Sequence, residues 1–176
     1  MSILVSITIS TYNIESYLSD CLECVVNQTL QEIEIIIIDD GSRDKTPEII
    51  KEYTLKDSRV KAIYKTKNEG LAISRNEALA LATGKYVSFV DGDDLIDKDL
   101  FRKAFECAET NESDLVLWDY ITFRNENEIQ KNLKKPSDLI SLDSMNKIAL
   151  LQRPAFSPTK LIRTDVARAL QINFPK

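Results

Sequence analysis

Ile33-Glu34-Ile35-Ile36-Ile37-Ile38-Asp39-Asp40-Gly41-Ser42 is a nearly continuous β-branched run that stops abruptly in polar and turn-forming residues. Apolar side chains at successive rather than alternate positions belong to a strand covered on both faces, as in a parallel sheet. Upstream, Leu4 to Ser10 is a β-branched strand pattern, Thr11-Tyr12-Asn13 interrupts it, and Leu18, Cys21, Leu22, Val25 and Val26 follow at helical spacing. Downstream, Thr46-Pro47 reads as an N-cap and first turn for a helix carrying Ile49, Ile50 and Tyr53. Val60 to Lys65 is a third strand, Asn68-Glu69-Gly70 a turn, and Leu71 to Ala82 a helix with Gly84 placed to cap its end. Tyr86 to Val90 is a fourth strand, ending in Asp91-Gly92-Asp93-Asp94. Asp97 is placed to cap a helix reaching about Thr110, and Leu115 to Phe123 reads as a fifth strand. This alternation predicts an α/β fold: an open, mostly parallel, twisted sheet flanked by helices.

The pattern changes after Arg124. Residues 125–138 are polar and without period, predicting an exposed excursion. A helix is expected over Leu142 to Leu151, an extended piece near Pro158 to Ile162, a helix from Thr164, and an extended end from Gln171. Residues 1–124 are thus expected to form an α/β core, and 125–176 the start of a second, incomplete region.

A formal charge of −5 on 176 residues, with no basic stripe, argues against nucleic acid as a partner. There is no histidine, so a zinc site would need carboxylates or a partner chain. The three cysteines are an odd number that suits a reducing cytoplasm, and Cys21 and Cys24 read as buried thiols on one helix face. The N-terminus has no basic leader and no apolar run reaches membrane-spanning length. Contact with a membrane surface and self-association stay open.

Ligands of an open parallel sheet bind beyond the carboxyl ends of its strands. Ser10 to Asn13, Asp39 to Ser42 and Asp91 to Asp94 meet there, and so many carboxylates repel unless a cation or hydrogen-bond donors intervene. Asp91 and Asp93, separated by one glycine that permits a tight turn, suit Mg2+ or Mn2+ bridging a diphosphate; the alternative is a solvated turn whose aspartates cap a helix. Asp40 can accept the N3 proton of uracil, with Tyr12 stacked on the base; alternatively Asp39 or Asp40 caps the loop and Tyr12 plugs the sheet edge.

VSITISTYN, IIIIDDGSRDKT, NEGLAISRN and YVSFVDGDD, in this order, resemble the four donor-site segments of the inverting glycosyltransferase family 2, strongly over Val5 to Leu100. The resemblance implies a GT-A fold with a Rossmann-like nucleotide-binding half. It places Ser10, Tyr12 and Glu15 beside the base, Asp40 on uracil, and Asp91 on ribose or metal. Asp93 would hold the metal, and Arg75 would reach the phosphates or ribose, although a solvent-facing helical arginine is an equal reading of the residues alone. Ser10 stands where many relatives have proline. The expected ligands are a nucleotide-sugar such as a UDP-sugar, Mn2+ or Mg2+, and a saccharide or lipid-linked acceptor in surface-polysaccharide synthesis at the inner membrane face. Lys160-Leu161, the helix from Thr164 and Asn173-Phe174-Pro175 resemble landmarks that precede the family's catalytic base, which is therefore expected beyond Lys176. Two rival readings are a non-catalytic nucleotide-binding module and a haloacid-dehalogenase-type phosphotransferase; the latter has its Asp-x-Asp after the first strand, not the fourth.

Overall fold

The computed structural model describes residues 2–120, 140–142 and 159–175. Its sheet contains β1 (Val5–Thr11), β2 (Ile33–Asp39), β3 (Val60–Tyr64), β4 (Tyr86–Asp91), β5 (Leu115–Leu117), β6 (Ile140–Leu142) and β7 (Lys160–Arg163), in the order β3-β2-β1-β4-β7-β5-β6. β3, β2, β1 and β4 are parallel neighbours, whereas the β4–β7, β7–β5 and β5–β6 pairs are antiparallel. The helices are α1 (Leu18–Val26), α2 (Thr46–Lys56), α3 (Leu71–Leu81), α4 (Leu100–Thr110) and α5 (Thr164–Ala169). The expected open, mostly parallel α/β sheet flanked by helices is observed, and its antiparallel β7-β5-β6 extension makes it mixed.

The apolar run of β2 is divided between two cores by the pleat. Ile33, Ile35 and Ile37 pack with Leu18, Leu22 and Val25 of α1, Ile50 of α2 and Phe101 of α4. Ile36 and Ile38 face the other way, against Ala78 and Leu79 of α3, Val87 and Phe89 of β4, and Ala167 of α5. Each fully buried isoleucine contributes about 1.5–3 kcal/mol, so both faces resist exposure.

Glu34 interrupts this run and is only 2% exposed. Its carboxylate accepts hydrogen bonds from Ser6 Oγ, Thr83 N and Thr83 Oγ1, each at 2.7 Å, and pairs with Lys61 at 2.8 Å. Burial alone would raise its pKa, but these donors outweigh burial and hold it at about 2.

Several local expectations are corrected. Thr46 lies inside α2 rather than capping it: Asp44 accepts the Thr46 N–H, while Thr46 Oγ1 accepts the Ile14 N–H. α3 ends at Leu81, so Gly84 is no cap; a β-carbon there would lie 2.7 Å from Ser6 N, where the chain must pass close to β1. α4 begins at Leu100, and the Asp97 carboxylate accepts the Asp99 N–H just before it. β5 stops at Leu117, shorter than expected, although Trp118 N–H still donates to Thr159 O in register with β7, and 121–123 lie outside the described residues.

Leu142, the expected start of a helix, is the last residue of β6; 143–151 and the excursion at 125–138 lie outside the described residues. The extended piece near Pro158 to Ile162 is realised as β7, which inserts antiparallel between β4 and β5, followed by α5 from Thr164. Cys21 is fully buried as expected, but Cys24 is only half-buried, because α1 rotates it toward the edge of the packed face. Among the described residues, no helix is long and apolar enough to cross a membrane.

Candidate functional site

β1 is flanked by β2 and β4: the chain runs outward from β1 through β2 to β3 by way of α1 and α2 on one face, then returns by way of α3 on the other face to β4 on the far side of β1. A crevice opens at such a reversal, outside the carboxyl ends of the strands. Register places the polar ends side by side, with Ser10 opposite both Ile38 and Asp91, Thr11 opposite Asp39, and Asp39 opposite Tyr64.

The loops after β1 and β2 are laced together. Asn13 N–H donates to Ser42 Oγ at 2.9 Å and Arg43 N–H to Asn13 Oδ1 at 2.8 Å. Glu15 N–H donates to Asp44 at 3.0 Å, and Lys45 N–H returns to the Glu15 carboxylate at 2.7 Å. Glu15, placed before α1, thus fastens the two loops. Gly41 has φ +77°, and a β-carbon there would sit 2.7 Å from the Lys67 carbonyl carbon, so this turn admits only glycine. Tyr12 stands 45% exposed on the first loop instead of plugging the sheet, and Tyr64 is 46% exposed at the end of β3.

The aspartates of β2 hold their loops, as the capping alternative expects. Asp39 accepts bonds from Thr11 Oγ1, Ser42 N and Ser42 Oγ. Asp40, 3% exposed, accepts Glu69 N–H at 3.1 Å and Gly70 N–H at 2.7 Å, and lies 3.2 Å from Lys65 Nζ. Burial opposes ionisation of Asp40, yet these donors keep its pKa below the ordinary value. A uracil N3–H must share this crowded carboxylate.

Lys65 is itself buried, 3.0 Å from Glu77 and donating to Ser74 Oγ at 3.1 Å. Burial would lower its pKa, but Glu77 and Asp40 raise it overall.

At the end of β4, the Arg75 guanidinium meets Asp91 at 2.5 Å with its side chain 13% exposed, so it is not the solvent-facing arginine of the alternative reading. Gly92 is buried and does not adopt positive φ; a β-carbon would run into Ile14 and lie 3.3 Å from Thr11 Cγ2. Close packing against these side chains, not the expected turn freedom, is what glycine serves there. Asp93 is exposed and has no hydrogen bond or ion pair among the described residues. Burial first, then the charges of Asp91 and Asp93, push the Asp94 pKa up to about 6. Cys21 Sγ lies 3.6 Å from Asp91 O, and burial, followed by the charges of Cys24 and these aspartates, raises its pKa far above the usual thiol range.

α3 links the two halves of the site: its first turn begins where Gly70 holds Asp40, and Arg75 reaches Asp91 one turn later. Three contributors are visible only in three dimensions. Lys65 is the hub described above. Asn76 binds the backbone of Phe174. Lys160 begins β7 beside this end of β4; its carbonyl accepts from Ser88 Oγ, its ammonium group has no hydrogen-bond or ion-pair partner among the described residues, and it is held below its ordinary pKa by burial and then by the charge of Arg75. Lys160 stands in the sequence only as a landmark, and nothing local marks its approach to Arg75.

Comparison with known proteins places this arrangement. Solved structures of similar fold include S. aureus TarS 1-349 in complex with UDP-GlcNAc, with a TM-score of 0.77 and 30% identity over 98% of this chain and 48% of that one. A Pyrobaculum calidifontis mannosyltransferase, PcManGT, solved with GDP-Man and Mn2+, superposes with a TM-score of 0.70 over 99% of this chain and 48% of that one; at 16% identity the likeness is one of fold. The glycosyltransferase EpsJ of Bacillus subtilis, described as uncharacterized, is 40% identical over 64% of this chain and 33% of its own length. The poly(ribitol-phosphate) beta-glucosyltransferase of Bacillus spizizenii is 32% identical over 97% of this chain and 27% of its own. The chain therefore spans between a quarter and half of the length of these relatives. The model of Glycosyl transferase family 2 matches residues 6–170, across the whole parallel half of the sheet and on through β7 and α5. By this match, together with the four strand-end segments gathered at one crevice, the chain belongs to glycosyl transferase family 2.

Proposed function

We propose that this chain binds a nucleotide-sugar, specifically a UDP-sugar, with Mn2+ or Mg2+, as the donor half of an inverting glycosyl transfer. The observation that carries this reading is the Asp91-Gly92-Asp93 turn at the switch point, where Asp93 is exposed and unpaired among the described residues and Asp94 is pushed up by burial and then by its neighbours' charge. The metal fits this chemistry as a hard cation on carboxylate oxygens. Among the described residues no three acidic, histidine or cysteine side chains converge to hold a metal alone, so Asp93 and the free oxygen of Asp91 make a half-site that a diphosphate and water complete. When bound, the cation would offset the charge of the departing diphosphate.

On the other side of the diphosphate, Arg75 and Lys160 are neighbouring cations that repel each other, an environment that favours an anion. Tyr12 supplies a face for the base, with Ser10 and Glu15 beside it and Asp40 toward uracil. TarS, about 30% identical, is described in complex with UDP and with UDP-GlcNAc, which favours uracil over other bases. The likeness to a poly(ribitol-phosphate) beta-glucosyltransferase favours a polymer-building acceptor; we propose a saccharide or lipid-linked one, met on the cytoplasmic side of the membrane.

Calorimetric titration of UDP and ADP, with Mn2+ or with EDTA, tests these assignments. Asp93→Ala should abolish the difference between Mn2+ and EDTA, and Asp40→Asn should reduce the preference for UDP over ADP about tenfold. Unchanged metal dependence in the first variant, or unchanged selectivity in the second, contradicts the corresponding role.

A further inference from the structure

Asn76 and Phe174 lie 98 residues apart, yet they make a two-point contact: Asn76 Nδ2 donates to Phe174 O at 3.1 Å, and Phe174 N–H donates to Asn76 Oδ1 at 2.8 Å. One side-chain amide thus satisfies both backbone groups of one residue, as a neighbouring strand would. Aspartate has the acceptor without the donor, and leucine has neither. The contact fixes residues 172–175, which have no regular secondary structure of their own.

The anchored Phe174 ring meets Phe89 of β4 edge-on, with centroids 4.9 Å apart and planes at 74°. Its centre also lies 5.5 Å from the Arg75 guanidinium carbon. The guanidinium is therefore held between an aromatic face and the Asp91 carboxylate 2.5 Å away. A long side chain otherwise free to sample many rotamers is confined to one arrangement.

We propose that Asn76 and Phe174 are positioning residues that hold Arg75 at the end of β4, pre-orienting it for the donor's diphosphate and making the 172–175 segment part of the donor site. The ligand half of this inference rests on the proposed nucleotide-sugar reading; the clamp itself does not. Without the clamp, Arg75 must be ordered at the moment of binding, which lowers affinity without removing any group that touches the ligand.

The test uses the full chain with Asn76→Ala, Phe174→Leu, Arg75→Ala and the Arg75→Ala/Phe174→Leu pair. UDP affinity in Mn2+ should fall about five- to tenfold in Asn76→Ala and in Phe174→Leu, whereas Phe174→Leu should cost nothing further once Arg75 is alanine. An equal loss in both backgrounds would mean that Phe174 acts only structurally, and the proposal fails. A second readout needs no ligand: the Arg75 Nε–H resonance, identified by its absence in Arg75→Ala, should be sharp in the unsubstituted protein and broadened in both clamp variants. If it is unchanged in a folded Phe174→Leu protein, the clamp is wrong even if UDP binds. If UDP fails to bind but the resonance responds, the clamp stands and the nucleotide reading falls.

Discussion

Lys65 and Arg75 divide the acidic strand ends between them. Lys65 compensates Asp40 and Glu77, Arg75 compensates Asp91, and hydroxyl and N–H donors serve Asp39. The sequence suggests a divalent cation as the simplest answer to so many carboxylates; the structure answers most of them internally and leaves Asp93 and Asp94. Lys65 stands between buried Asp40 and Glu77, whose side chain is 40% exposed, so Lys65→Met strands Asp40 and should cost about 3 kcal/mol. For a chain of this size that lowers the unfolding midpoint by roughly 6–12 °C, and an unchanged thermal midpoint would contradict the hub. The aspartates are legible in the sequence because carboxylates that end apolar strands have few places to go. Lys65 is not, because its meaning depends on Asp40, 25 positions earlier, and on the second turn of α3. Asp91 is legible as a strand-end acid, but its engagement by Arg75 is not.

β2 shows what periodicity reveals and what it hides. Its run of isoleucines identifies a doubly covered strand, and the pleat distributes them as expected between two cores. Glu34 gives no local sign of its bonds to Ser6, Lys61 and Thr83, which belong to β1, β3 and the turn after α3. Because the Glu34 pKa falls from 4.5 to about 2 on folding, its contribution is full above about pH 4.5 and fades as pH falls toward 2. Glu34→Gln should therefore lose ~2 kcal/mol of unfolding free energy at pH 7, with the gap closing toward pH 2 in denaturant titrations. A gap independent of pH would show that the carboxylate charge contributes nothing.

In α1, Cys21 should label with thiol reagents only on unfolding, whereas half-buried Cys24 should react first; rapid native labelling of Cys21 would contradict its placement. β1 to β4 are legible because each pairs in parallel through a helix of readable period. β5 and β7 are legible as extended runs, but their antiparallel pairing is not, nor is β6, because runs of 3–4 residues acquire their place from partners far along the chain.

The molecule as a whole joins a parallel half, β3-β2-β1-β4, to an antiparallel extension, β7-β5-β6, and the candidate site lies at the carboxyl end of the strands where they meet. α3 runs beside this junction, with Lys65 and Asp40 at one end and Arg75, Asn76 and Phe174 further along. The proposed base and diphosphate contacts are thereby tied to one helix, and a ligand spanning both should stiffen the fold. The most direct measurement is the shift in thermal midpoint produced by UDP with Mn2+ and with EDTA. A ligand at 100 times its dissociation constant adds about 2.7 kcal/mol, which corresponds to roughly 5–11 °C here. That shift is expected with UDP and Mn2+ together, little from either alone, and little from UDP in EDTA. Stabilisation by UDP that is equal in Mn2+ and EDTA, or no stabilisation by UDP at all, would contradict a metal-assisted nucleotide-sugar site at the end of β4.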